Sequence, residues 1–174
     1  MSGNAVETSQ LVKQFGDFVA VDHLNLHVNR GSFFGFLGPN GAGKSTTIKM
    51  LTGLLAPTSG TLHVLGLDIS AQPMDVKRRI GVVPEDLNLF ERLTGAEMLS
   101  FTGRMYGLGK QEIAQRSKEL LDLMELQDEP RKLIVEYSHG MKKKLSLACA
   151  LIHRPEILFL DEPFEGVDAI ASRT

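Results

Sequence analysis

The chain has 174 residues, 43% of them hydrophobic, and a formal net charge of −2 from 19 basic and 21 acidic side chains. That size and apolar content suit one packed core, or one core with an inserted lobe, and exclude a disordered chain. The charge balance excludes a strong electrostatic footprint for nucleic acid, and one cysteine excludes an internal disulfide or a cysteine zinc cluster.

The first ten residues are polar and carry no signal-peptide pattern. Residues 6–28 are expected to form strands around a turn at Gly16 and Asp17, with Leu24, Leu26 and Val28 alternating with Asn25 and His27. Phe15 stands just before that turn, where an aromatic is most often core. Residues 33–37 are apolar and are read as a strand feeding a glycine-rich loop.

That loop is Gly38, Pro39, Asn40, Gly41, Ala42, Gly43, Lys44, Ser45 and Thr46, a G-x-x-x-x-G-K-S phosphate loop that opens a helix through Leu51. The glycines let the backbone curl its N–H groups around phosphate oxygens, and the helix directs its positive end at the same anion. Lys44 is expected to reach the terminal phosphates of a nucleoside triphosphate, and Ser45 to ligate Mg²⁺. A chance surface turn is the alternative, made rare by the strand–loop–helix context.

Gly53 stops the helix, residues 57–60 make a turn, and residues 61–65 form a strand ended by Gly66. A short helix over 73–79 precedes a buried strand at 80–83 that stops at Pro84. Glu85 follows, either a ligand carboxylate at a strand's carboxyl end or a solvated loop acid. Thr94 and Glu97 form a capping box for a helix running to about Tyr106, and a second helix covers 110–124. Residues 86–150 therefore read as an inserted helical lobe.

Ser138 is a good N-cap for a helix whose Met141, Leu145, Ala148 and Ile152 fall at helical spacing. Lys142, Lys143 and Lys144 oppose that helix's dipole, so they form a solvated face or a positive rim near an anion. Cys149 lies in the apolar part of the same helix and reads as a buried structural thiol; no apolar run approaches a membrane span. Residues 157–160 are continuously apolar, as in a parallel strand buried on both faces. Asp161 and Glu162 end it, placed to hold the Mg²⁺ hydration shell and to orient or deprotonate an attacking water.

Taken together, these residues resemble the ATP-binding subunit of ABC transporters, from about Val6 to the last residue. Gly38 to Thr46 is similar to the Walker A motif and residues 157–162 to Walker B with its catalytic glutamate. Tyr137, Ser138, His139, Gly140 and Met141 stand where the family's signature stands. Phe15 takes the aromatic A-loop position, Glu85 the Q-loop position, and Gly166, Val167 and Asp168 the D-loop. Walker A is shared widely, whereas this ordered set is highly specific.

The resemblance implies an α/β fold: a P-loop NTPase core of mainly parallel sheet, an N-terminal antiparallel β lobe and the inserted helical lobe, within one domain over 6–174. It implies ATP and Mg²⁺ as cofactors, with Lys44 and Glu162 catalytic and Ser45, Glu85 and Asp161 around the metal. Phe15, the Walker A residues, and Ser138, His139 and Gly140 would contact nucleotide. It also implies a head-to-tail dimer of two ATP-binding subunits, a separate transmembrane permease as partner, and a peripheral place on the cytoplasmic face of the membrane. No nucleic-acid partner is expected.

Glutamate at position 85 replaces the usual glutamine, and His139 and Met141 replace a glycine and a glutamine of the signature, while Ser138 and Gly140 are kept. These departures resemble those of a bacterial exporter subset. The family also continues past the D-loop into a strand carrying a switch histidine. Residues 1–174 are therefore expected to be a fragment that aggregates or stays molten alone and turns over no ATP. The alternatives are a soluble ABC-type ATPase acting on ribosomes or DNA and a non-hydrolysing nucleotide-binding regulator. An ordinary P-loop kinase would not carry the 137–141 motif.

Overall fold

The computed structural model describes residues 3–161, so Glu162 and the D-loop residues lie outside the described residues. The chain divides into two compact units, Met1–Ile80 and Gly81–Thr174.

The first unit is built on two long strands, β1 (Asn4–Phe15) and β2 (Phe18–Asn29), joined at Gly16 and Asp17. Gly16 has φ 56°, the positive value that mirror-image hairpin turns require at their first position. The expected alternation holds: Val6, Leu11 and Leu26 are buried while Glu7, Asn25 and His27 face solvent. It is interrupted where the register shifts between Thr8 and Leu11. There the buried Thr8 hydroxyl donates to Leu24 O and accepts from Leu26 N–H, both at 2.9 Å, so the irregular backbone is satisfied.

β3 (Ser59–Val64) pairs antiparallel with β1, and β4 (Leu67–Asp68) with β3, giving the order β2-β1-β3-β4. Helix α1 (Lys44–Leu51) packs on β2 and buries Thr47, Met50 and Leu51. Gly53, at φ 68°, ends it as expected: Gly53 N–H bonds Met50 O at 3.0 Å and Leu54 N–H bonds Lys49 O at 2.9 Å. A short helix, α2 (Pro73–Lys77), follows.

Residues 33–37 correct the sequence reading. They form no strand; Phe33 and Leu37 are 107% and 96% exposed, and Phe34 is 52% exposed. A strand exists only by pairing with a neighbour, and this segment has no ladder partner among the described residues. Phe34 and Phe36 instead meet edge to face, with ring centroids 5.4 Å apart.

In the second unit, which holds all but the first residue of β5 (Ile80–Val83), β5 and β6 (Ile157–Leu160) pair in a parallel sheet. Here too the expectation needs correction: β6 is only half-buried and Leu160 is 39% exposed, so the run is not buried on both faces. The helical part comprises α3 (Gly95–Met105), α4 (Lys110–Leu123) and α5 (His139–Leu151). Their apolar stripes meet in one cluster around Met98, Leu99, Leu120, Leu145 and Ile152. The capping box of α3 forms as read, with Thr94 N–H donating to Glu97 Oε2 at 2.8 Å and Glu97 N–H to Thr94 Oγ1 at 3.3 Å. Arg116 on α4 closes the other end of α5 by donating to Leu151 O at 2.8 Å and Ile152 O at 3.3 Å.

Candidate functional site

The phosphate loop lies in the first unit. Gly41 and Gly43 take φ of 82° and 81°, and Ala42 N–H bonds back to Pro39 O at 3.2 Å, so residues 38–43 close a tight turn. Gly43 has a second reason to lack a side chain: a Cβ there would run into the Ala20 carbonyl and sit 3.3 Å from Val21 Cγ2. Lys44 lays its ammonium over the turn, donating to Gly38 O at 2.9 Å and Pro39 O at 3.1 Å. It sits above the backbone groups that would face a phosphate.

Gly43 is also the N-cap of α1, in the left-handed conformation and without a side-chain cap. No acidic residue occupies the first turn, so nothing on the helix neutralises its positive end. Ser45 and Thr46 lie in that turn, half-buried. Gly38, Pro39, Asn40, Gly41 and Ala42 are exposed.

Phe15 is not core, as an isolated aromatic would have been read. It is 49% exposed at the hairpin tip, with Lys13 Nζ 4.9 Å from its ring centroid. That leaves a ring face suited to stacking on a planar ligand.

The second unit carries the acids and the signature. Asp161 follows β6 directly, is buried, and its N–H bonds Val83 O at 2.9 Å. That bond holds the carboxyl ends of β5 and β6 side by side, and Glu85, exposed, leaves from the same edge just after Pro84. Ser138, His139 and Gly140 are exposed at the start of α5, where Ser138 Oγ accepts from Met141 N–H at 3.2 Å. The first turn of α5 again holds no acidic residue.

The basic run after it is less bare than its sequence suggests. Lys142 Nζ lies 2.7 Å from Glu91 Oε1 and Lys144 Nζ 2.6 Å from Glu125 Oε2. Glu91 and Glu125 carried no signal of this role, because their lysines are 51 and 19 positions away. Cys149 is half-buried rather than fully buried as expected, and desolvation still pushes its thiol up to about 11, against a smaller opposing effect of a Thr102 hydrogen bond, so it is a poor nucleophile.

The profile of the ABC transporter family matches residues 21–165. The chain is 42% identical over 168 residues to the probable multidrug ABC transporter ATP-binding protein YbhF of Escherichia coli K12, covering 97% of this chain and 29% of that protein. It is 45% identical over 164 residues to the daunorubicin/doxorubicin resistance ATP-binding protein DrrA of Streptomyces peucetius, covering 94% and 50%. With the bacitracin transport ATP-binding protein BcrA of Bacillus licheniformis it shares 42% over 165 residues, covering 95% and 53%.

The chain thus spans about half the length, or less, of these curated relatives. A solved structure of an ATP-binding subunit of an ABC transporter superposes with a TM-score of 0.83 at 32% identity, over 92% of this chain and 67% of that one. CbiO1 of Clostridium perfringens, part of the ABC transporter complex cbiONQ, superposes at 0.82 with 28% identity, over 94% and 67%. The fold class expected from the sequence is the one these neighbours have, and this chain belongs to the ABC transporter family, as a member of its ATP-binding type.

Proposed function

We propose that the chain binds and hydrolyses ATP to drive export through a separate membrane protein. One observation carries this reading beyond the family. Of the five α-helices among the described residues, α2, α3 and α4 open with Asp75, Glu97 and Glu112, whereas α1 and α5 open with no acid. An acid in the first turn stabilises a helix by answering its dipole, and its omission leaves the positive end for an external anion. The two helices so treated are those that follow the phosphate loop and Ser138.

On this reading the backbone of residues 38–46 cradles the phosphates, Lys44 exchanges its loop carbonyls for phosphate oxygens, and Phe15 stacks on the adenine. Ser138, His139 and Gly140 address the phosphates of an ATP held by a second subunit, head to tail, so that ATP draws two subunits together. Ser45, Asp161 and Glu85 are hard oxygen donors, and no group of three His, Cys, Asp or Glu side chains among the described residues could hold a metal alone. Donors of that kind suit Mg²⁺, which takes most of its ligands from phosphate and water. When bound, the cation supplies charge neutralisation of the phosphates. Glu162 accepts a proton from the water that attacks the γ-phosphorus, and the bond to the ADP oxygen breaks.

The relatives named for multidrug, bacitracin and daunorubicin transport or resistance support export of a small-molecule cargo. No helix among the described residues is long and apolar enough to cross a membrane, in keeping with a peripheral subunit on the cytoplasmic face beside a permease. The test is ATP turnover by the full-length protein. Glu162→Gln should retain ATP binding and lower hydrolysis by about a hundredfold or more, because an amide cannot take the proton. Turnover within a few-fold of wild type would assign the base to another group.

A further inference from the structure

Helices α3 and α4 enclose a groove of about 550 Å³ that the proposed function leaves unused. That size lies within the roughly 300–1,000 Å³ of sites that hold small organic ligands. Small residues open it: Ala96 and Ser100 on α3, Ala114 and Ser117 on α4. The helices approach closely at Gly103, where a Cβ would lie 2.8 Å from Ile113 Cγ1, and the buried Ile113 lines the groove.

Small residues alone would signify only packing. Ser117 adds something else. It is 8% exposed, yet its Oγ is buried with no hydrogen-bond partner among the described residues. A helical hydroxyl so placed can turn back to the carbonyl four residues earlier, as Thr102 Oγ1 does to Met98 O at 2.9 Å. Ser117 does not, and a buried hydroxyl left unmatched is destabilising until something supplies a partner.

The lining also says what charge that partner carries. Arg104, at the end of α3, and Lys110, at the start of α4, stand together across the short connection between the helices, and Lys118 adjoins Ser117. None of the three has a carboxylate within salt-bridge distance among the described residues. Asp122 lies one turn beyond Lys118, so an anion is favoured toward the Arg104 and Lys110 end. An α-helix, about 10 Å or more across with its side chains, is too broad to reach a hydroxyl this deep, whereas one extended chain is not.

We propose that this groove binds a single-chain anionic amphiphile, a medium-chain fatty-acid carboxylate. Its head accepts from the Ser117 hydroxyl within reach of the Arg104, Lys110 and Lys118 side chains, and its tail turns away over Leu121 toward Ala96. The test is equilibrium dialysis of radiolabelled decanoate against the full-length protein without nucleotide, beside decanol and decyltrimethylammonium. Decanoate should bind saturably at one site, with the other two weaker by about tenfold or more, since only a carboxylate meets the cations and Ser117. Joint Arg104→Gln and Lys110→Gln substitution should weaken decanoate by about tenfold, and Ser117→Ala by about threefold. Ala114→Leu, at an exposed position, should abolish binding by filling the groove.

No saturable decanoate binding would overturn the proposal, as would equal affinity for decanol. Unchanged binding in Ala114→Leu would place decanoate elsewhere and overturn it too. Binding of an acidic helical peptide in place of decanoate, lost in Ala114→Leu, would assign the groove to a protein segment instead. A dimer lost in the same variant, again without decanoate binding, would assign it to a second copy. Should Ser117→Ala fail to fold, the charge variant and Ala114→Leu still decide. Nucleotide is absent throughout, so the outcome stands apart from whether the protein hydrolyses ATP.

Discussion

The phosphate loop and the start of the signature helix are both helix N-termini with no acidic residue in the first turn, yet they are made in opposite ways. The loop is local: two glycines at positive φ, a 3.2 Å turn from Ala42 to Pro39, and a lysine folded onto carbonyls five and six residues back. The signature start is held from a distance, by Glu91, Leu93 and Thr94, through contacts that span about forty residues or more. A local device keeps its shape as long as its own backbone does. A strapped one can be moved by whatever moves the strap.

The most damaging way to break the local device is Gly43→Ala. The methyl forces an unfavourable φ and meets the Ala20 carbonyl, so we expect a loss of about 2–5 kcal/mol from left-handed strain plus overpacking, with loss of ATP binding. Chemical denaturation of the full-length protein checks it; a stability within about 0.5 kcal/mol of wild type would mean the loop is not built as described. A smaller effect is expected at Glu85, where alanine should lower turnover by about severalfold more than it weakens ATP binding. Equal activity across a Mg²⁺ titration would reduce Glu85 to a loop acid.

The least of the three is Ser138→Ala, which removes the N-cap of α5 and should cost about 1 kcal/mol. Thermal unfolding would read it as a drop of a few degrees. An unchanged midpoint would show that the strap, rather than the cap, holds this end of the helix.

The same contrast explains what the sequence disclosed. Everything local was legible: the phosphate loop, the Thr94–Glu97 capping box, the Ser138 cap, the Gly53 stop and the end of β5 at Pro84. Each depends on residues within about four positions, where spacing maps directly onto geometry. Residues 33–37 misled because apolar composition states a preference for burial, while a strand needs a partner that composition does not name. Phe15 read in isolation suggested core, because sequence alone does not show that a hairpin tip places an aromatic beyond the sheet's buried face. The lysines of 142–144 read as a solvated face or a positive rim, because nothing in a linear pattern pairs Lys142 with Glu91 or Lys144 with Glu125.

The central claim is that residues 38–46 hold the phosphates of ATP with Lys44 as their principal side-chain contact. Titrating a fluorescent ATP analogue into full-length wild type and Lys44→Ala tests it most directly. Binding should be weaker by about tenfold or more in the variant, at least about 1.4 kcal/mol. Identical affinity in the two proteins would contradict it.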